Sequence, residues 1–309
     1  MTVDASLAVE EAADRLEWTC LVNSTGYLAW ADVIGQLRRT VSEEEATATY
    51  AERGREPPEA GWQDIEPFET RLDEWIQALG DRAQACGPRD AYPFDVSQHG
   101  LRLRGRPSPY LFQLLVSLGF TDDHHDGTTV YKLFEELSAT AAGRYLGDSS
   151  PAVVFGSPRR NLPAGFREAV SHLASLLREG KACADQENLN RSQDDGLDVV
   201  AWKEFPDRRA SKLILFGQCA AGRHWKKKTH ELQPRRWCKR NFAGSIAVDP
   251  IPAFFVPRAL SEGDASDAGT DQILLDRCRI SALCLDTMDS QLDERLREWI
   301  EATLQGHRP

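Results

Sequence analysis

Hydrophobic positions recur along this chain with helical spacing in some stretches and strand-like runs in others, and the alternation between the two marks out its elements. Residues 5–39 read as two helices, an acidic first one and a second over Tyr27–Arg39, separated by the turn Asn23-Ser24-Thr25-Gly26. The acidic run Ser42–Glu45 opens a further helical stretch, and Arg53–Trp62, with two prolines and two glycines, reads as a loop. Arg71–Cys86 is helical, with Leu72, Trp75, Ile76 and Leu79 on one face. Tyr92–Val96 and Leu101–Arg104 predict a small hairpin, and Pro109–Gly119 an apolar helix. Asp122–Gly127 is polar and turn-like, and a different pattern begins at Thr128. The expected organisation is therefore a mainly helical N-terminal domain over 1–127 and a second domain over 128–309.

The second part has a clearer order. Val130–Leu146 predicts a helix with Val130, Leu133, Phe134, Leu137 and Ala141 on one stripe. Ala152–Phe155 is a short extended piece, and Pro163–Arg178 a helix with proline in its first turn. Leu197–Trp202 and Lys212–Ala220 predict two strands joined by the turn Pro206-Asp207-Arg208-Arg209, hence a hairpin. His224–Leu232 reads as a basic helix, Ile251–Val256 as a strand and Asp271–Leu283 as a core helix. A charged amphipathic segment follows over Asp289–Leu304. Helix, hairpin, helix and strand in this order make a mixed α/β (α+β) domain.

Composition adjusts this picture in three ways. No apolar run approaches the roughly 18 residues of a membrane span, and Met1-Thr2-Val3-Asp4 lacks the order of a signal peptide, so a cytoplasmic location is expected. Seven cysteines without a CxxC pair point to reduced thiols rather than a disulfide framework or a structural zinc site. The net charge of −11 argues against a nucleic-acid partner until its distribution is considered. Arg223, Lys226, Lys227, Lys228, Arg235, Arg236, Lys239 and Arg240 face only Glu231 within one segment, and such a strip suits phosphate contact as well as a solvated surface. His124, His125 and Asp126 offer metal-ligating side chains, but neighbouring histidines are expected to point apart, and no third ligand has the right spacing.

Metal-assisted hydrolysis of a phosphodiester needs hard oxygen ligands, which carboxylates at the middle of a small sheet supply. If the hairpin pairs, Asp198 at the head of Val199-Val200-Ala201-Trp202 meets Gln218 at the end of Leu213–Gly217. A polar Gln at the end of an apolar strand is costly unless it is satisfied. The segments Asp-Gly-Leu-Asp-Val-Val-Ala (195–201) and Leu-Phe-Gly-Gln-Cys-Ala (215–220) resemble the D…(E/Q)xK signature of the PD-(D/E)xK, restriction-endonuclease-like superfamily, most of all its Mrr-type branch. The resemblance covers residues 130–260. It implies a restriction-endonuclease-like core, a mixed central sheet flanked by helices, with a further metal-binding glutamate on the preceding helix. Glu135 fits that slot, on the side of Ser138 and Ala142, while Glu136 shares its side with Lys132. Asp195 in its Asp-Gly pair reads as a turn residue.

The resemblance departs at Ala220, which stands where that superfamily places its lysine. Lys228 is the expected substitute, since Trp225, Lys228 and Leu232 share one helical stripe. The implied function is a Mg²⁺- or Mn²⁺-dependent endonuclease acting on double-stranded DNA in a prokaryotic defence or DNA-processing setting. Asp198, Gln218 and Glu135 would hold the metal, and Arg223, Lys226, Lys227, Arg235, Arg236, Lys239 and Arg240 would contact the backbone. The alternative is a nuclease-like domain that binds nucleic acid or a partner protein without cutting, with residues 1–127 as a docking module. A third reading takes Gln218-Cys219-Ala220-Ala221-Gly222 as a cysteine-nucleophile motif, although its order is permuted and Cys219 faces away from Gln218.

Overall fold

The strand-forming runs of this chain collect into two separate sheets, each covered by helices whose apolar stripes match it. The computed structural model describes residues 6–39, 66–87, 90–181, 195–285 and 288–307. The helical stretch expected from Ser42–Glu45 and the loop Arg53–Trp62 lie outside the described residues. Two compact units result, Met1–Pro107 with Leu304–Pro309, and Ser108–Thr303.

In the first unit the helix α1 (Val9–Val22) is followed by β1 (Tyr27–Ala29), α2 (30–39), α3 (Glu66–Ala85), β2 (Phe94–Val96) and β3 (Gly100–Leu103). The hairpin β2–β3 forms where the sequence places it, and β1 joins it in the order β1-β3-β2. Tyr27–Ala29 therefore starts a strand, not the expected helix: Leu28 pairs with Leu101 across an antiparallel ladder. That ladder is tight, because a Cβ on Gly100 would lie 2.3 Å from Leu28 O, so a side chain there would force the strands apart. Within this unit the buried Arg82 ties α3 to α1 through Glu10 at 2.6 Å and Asp14 at 2.8 Å.

The second unit opens with α4 (Ser108–Ser117) and α5 (Val130–Leu146). It starts ahead of the 127/128 boundary read from sequence because α4 packs on α9 (Arg277–Cys284) and α5. The buried Arg277 fastens that contact, donating to Ser117 Oγ at 2.7 Å and Pro257 O at 3.1 Å. Five strands follow, β4 (Ala152–Val154), β5 (Val199–Trp202), β6 (Ile214–Cys219), β7 (Ile251–Phe255) and β8 (Ile273–Leu275), in the order β4-β5-β6-β7-β8. The β4–β5 and β5–β6 pairs are antiparallel, while β6–β7 and β7–β8 are parallel. This is the mixed sheet and α+β class expected. The expected helix over Asp271–Leu283 splits, since its first residues form β8 beside β7 and Asp276 then caps α9 by accepting from Arg279 N at 3.0 Å.

Residues of β5 and β6 are buried on both faces, which is why their sequences run apolar without alternating. On one face Val200, Trp202, Ile214 and Phe216 pack with α6 (Phe166–Leu177) and Trp237 of α7 (Pro234–Asn241). Trp237 meets Phe216, Phe242 and Phe155 edge-on with centroids 5.3, 5.4 and 5.6 Å apart. The other face is covered by α5, which is packed in turn on α9. The α6 helix begins at Phe166, after Pro163, so the proline lies ahead of the helix and not in its first turn. Further described helices are α8 (Glu262–Gly269) of this unit and α10 (Ser290–Gln305), whose last two residues fall in the first unit and which lies close to the amphipathic segment expected.

Candidate active site

The helix α5 is started by Thr129, whose side chain accepts from Lys132 N, and its first turns run beside the open end of the β5–β6 hairpin. The register that pairs Val199 with Gly217 sets Asp198 opposite Gln218 one rung further out, as the sequence pattern requires. Asp198 Oδ2 accepts from Cys219 N at 2.7 Å, and its backbone carbonyl accepts from Phe155 N at 2.7 Å and Gly156 N at 3.1 Å. The strand-head aspartate is thus fixed from both neighbouring strands.

Glu135 meets it there. A Cβ placed on Gly156 would fall 2.6 Å from Glu135 Oε2 and 3.1 Å from Asp198 Oδ1, so both carboxylates crowd one small volume that only a glycine leaves open. A buried lysine stands beside them. Lys132 donates to Glu135 Oε2 and, at 2.7 Å, to Gly156 O. It comes from α5 three residues before Glu135, and the sequence reading set it beside Glu136 instead. Spacings of three and four are both neighbours on a helix, and burial of Lys132 against Gly156 decides between them. Glu136 turns the other way, to Arg295 at 2.6 Å.

The other expected site residues stand differently. Gln218 is buried, and its amide nitrogen donates to Glu231 Oε2 at 3.0 Å. Lys228 is exposed on a 3-10 turn, Trp225–Lys228, where an α-helix with a sheet-facing stripe was expected. The tight turn, closed by Lys227 N to His224 O at 3.0 Å, buries Trp225 and projects the three lysines outward. Asp195 holds a left-handed turn (φ 55°) and accepts from Arg240 at 2.7 Å and Asn241 at 3.2 Å. Cys219 carries no nucleophile's poise. Its burial, then the negative charges of Asp198 and Glu135, push its thiol well above the ordinary 9.0, against a hydrogen bond with Ser138 and the charge of Lys132.

Of the basic segment, Lys226, Arg235 and Arg240 lie at ion-pair distance from Asp264 (2.6 Å), Asp249 (3.4 Å) and Asp195 (2.7 Å). Arg223, Lys227, Arg236 and Lys239 are exposed. The α7 helix buries Trp237 and Cys238 and turns its arginines and Lys239 to solvent. Arg236 and Arg240 line a groove with Glu231, Gln233 and Asp195. The basic strip therefore edges the same groove as the partner of Gln218.

A further expectation is corrected at the histidine pair. The rings of His124 and His125 do not point apart: their centroids are 4.0 Å apart, and Glu298 of α10 approaches both. Both lie in an irregular loop, where neighbouring side chains are not forced to opposite faces as in a strand.

No family model, curated protein or solved structure matches this chain.

Proposed function

We propose that the second unit is a divalent-metal-dependent phosphodiesterase of nuclease type, acting on DNA, with Asp198, Glu135 and Lys132 as its working residues. The convergence of the two carboxylates on the Gly156 cradle, beside a buried ammonium, carries this reading. The donor set fits a hard cation: two carboxylates on rigid elements, with a backbone that leaves room where a Cβ would block it. Asp198 and Glu135 would hold Mg²⁺ or Mn²⁺, and the bound ion would supply charge neutralisation at the phosphate and a lowered pKa for attacking water. The sheet order supports the same reading, since Asp198 heads the central antiparallel strand and Glu135 lies on the helix packed across it.

Lys132 takes the part that Ala220 cannot. Its ammonium sits against Glu135 and Gly156 O, so it can orient water or steady charge on a non-bridging oxygen at that spot. This replaces Lys228 in the role assigned from sequence. Gln218, whose amide nitrogen donates to Glu231, would position that carboxylate at the edge of the basic groove, and its Oε1 would be the atom able to join the metal. Arg223, Lys227, Arg236 and Lys239 would engage phosphates along the strip. A prokaryotic defence or DNA-processing setting and a docking role for the first unit belong to the same proposal.

The observation favouring a non-cutting reading is the Lys132–Glu135 ion pair itself, which neutralises one of the two carboxylates. Supercoiled plasmid incubated with the full chain in Mg²⁺ and in Mn²⁺ separates the two readings. Nicking that EDTA abolishes supports the nuclease. A gel shift that survives EDTA, without nicking in either metal, supports binding alone.

A further inference from the structure

A second cluster of metal-ligating side chains lies in the second unit and is chemically unlike the Asp198–Glu135 pair. It is built from His124 and His125, in the loop before α5, and Glu298 on α10. Their ligating atoms all lie within 4.8 Å of one another. The loop and helix are fastened independently of this cluster: Trp299 Nε1 donates to Asp122 O at 2.7 Å, and Trp299 packs edge-on against Phe112.

His124 is the informative residue. Its side chain is 1% exposed, yet Nε2 makes no hydrogen bond among the described residues. Nδ1 lies 3.0 Å from Asp126 Oδ1 and 3.3 Å from Asp126's own amide nitrogen, two contacts that ask for opposite protonation. The shorter, charge-assisted contact is the stronger and assigns the ring proton to Nδ1. Asp126 is itself tied down, accepting from Thr128 N at 2.7 Å and lying 3.7 Å from Arg160 and from Arg295. The Nε2 lone pair then lies near the Glu298 carboxylate, 3.4 Å away. Two acceptors facing each other, the imidazole buried and the carboxylate half-exposed, repel unless a cation stands between them.

A carboxylate on one ring nitrogen and an open lone pair on the other is the arrangement of a metal-binding histidine. Tetrahedral Zn²⁺ with bonds of about 2.0–2.1 Å places its ligand atoms about 3.3 Å apart, which the His124–Glu298 separation already matches. His125 Nδ1 is 3.8 Å from the same carboxylate oxygen, and its side chain is 70% exposed, so small ring movement completes the set.

We propose that His124, His125 and Glu298 form a binding site for a first-row divalent cation of the Zn²⁺ class, with a fourth position open to solvent. Two imidazoles and one carboxylate suit Zn²⁺, Co²⁺ or Ni²⁺ far better than Mg²⁺, so this site and the carboxylate pair divide the metals between them by ligand softness. The bound ion joins the loop before α5 to α10.

Isothermal titration with Zn²⁺ of the full chain carrying Asp198→Asn tests this, because that substitution removes the other cluster from the count. One equivalent is expected to bind at micromolar affinity or tighter. The Co²⁺ form is expected to show visible ligand-field bands without the intense near-ultraviolet band of thiolate ligation, which separates this site from adventitious cysteine binding. Adding His125→Ala or Glu298→Gln, both at exposed side chains that the fold does not need, is expected to weaken binding at least tenfold in each case. Absence of saturable Zn²⁺ binding, or wild-type affinity in either variant, overturns the proposal and leaves His124 as a packing residue held between Asp126 and Glu298.

Discussion

Gly156→Ala is a steric probe of the candidate site with few side effects. Its φ lies outside the left-handed region, so alanine meets no backbone penalty there. Lost chain freedom in the unfolded state alone would stabilise the variant by about 0.4–1 kcal/mol. Against this, the new Cβ would stand 2.6 Å from Glu135 Oε2, 3.0 Å from its Cδ and 3.1 Å from Asp198 Oδ1. Glu135 is the flexible partner, but moving it strains its ion pair with Lys132, which is itself anchored on Gly156 O. Overpacking of this kind costs about 1–3 kcal/mol, so the net expectation is a destabilisation of about 1–2 kcal/mol. Urea unfolding followed by tryptophan fluorescence measures it. The effect on catalysis should be larger, because displacing one ligand by about 1 Å costs on the order of 100-fold in rate. Single-turnover cleavage of a labelled duplex measures that. A variant as stable as wild type that cuts at the wild-type rate would refute the crowding of Glu135 and Asp198 at this Cα.

Three further outcomes follow from particular contacts. Burial raises Glu204, but hydrogen bonds from Lys212 and Trp202 outweigh it and hold the carboxyl below its ordinary 4.5. A depressed carboxyl adds stability above its unfolded value, lost as pH falls through the folded value, so Glu204→Gln should flatten the acid limb of stability below about pH 4.5; superimposable limbs would contradict this. Cys219 should resist iodoacetamide at neutral pH in the folded chain, and Cys219→Ser should keep any cleavage activity; rapid alkylation with loss of cutting would revive the cysteine-nucleophile reading. Arg236→Ala together with Lys239→Ala should weaken duplex binding evenly across sequences and reduce the log–log salt slope by about 1–2, whereas an unchanged slope would remove α7 from the interface.

Much of the second unit was legible because its strongest signals were local. Val130–Leu146 carries one uninterrupted apolar stripe, and the Pro206–Arg209 turn between two apolar runs forces a hairpin whose register sets Asp198 opposite Gln218. What escaped depended on tertiary partners. Tyr27–Ala29 becomes a strand only because β3 offers a partner, and Ile273–Leu275 only because β7 does. Lys132 could belong with Glu135 or Glu136 by spacing alone, and the choice was made by Gly156, 24 residues further along the chain. The basic turn at Trp225–Lys228 is too short for a helical stripe to mean anything, so Lys228 was misplaced by a period that never formed. Adjacent histidines defied a rule that holds for strands because they sit in a loop, and their third partner comes from α10, far along the chain.

Cleavage of supercoiled plasmid by wild type and by Asp198→Asn, with matched circular dichroism and in both Mg²⁺ and Mn²⁺, tests the central claim most directly. Metal-dependent nicking by the wild type, reduced at least about 100-fold in the variant, is the expected result, since the variant loses one of the two carboxylates that converge at Gly156. Equal nicking by both proteins would place any nuclease activity elsewhere, and nicking by neither in either metal would contradict the assignment of Asp198, Glu135 and Lys132 as a hydrolytic site.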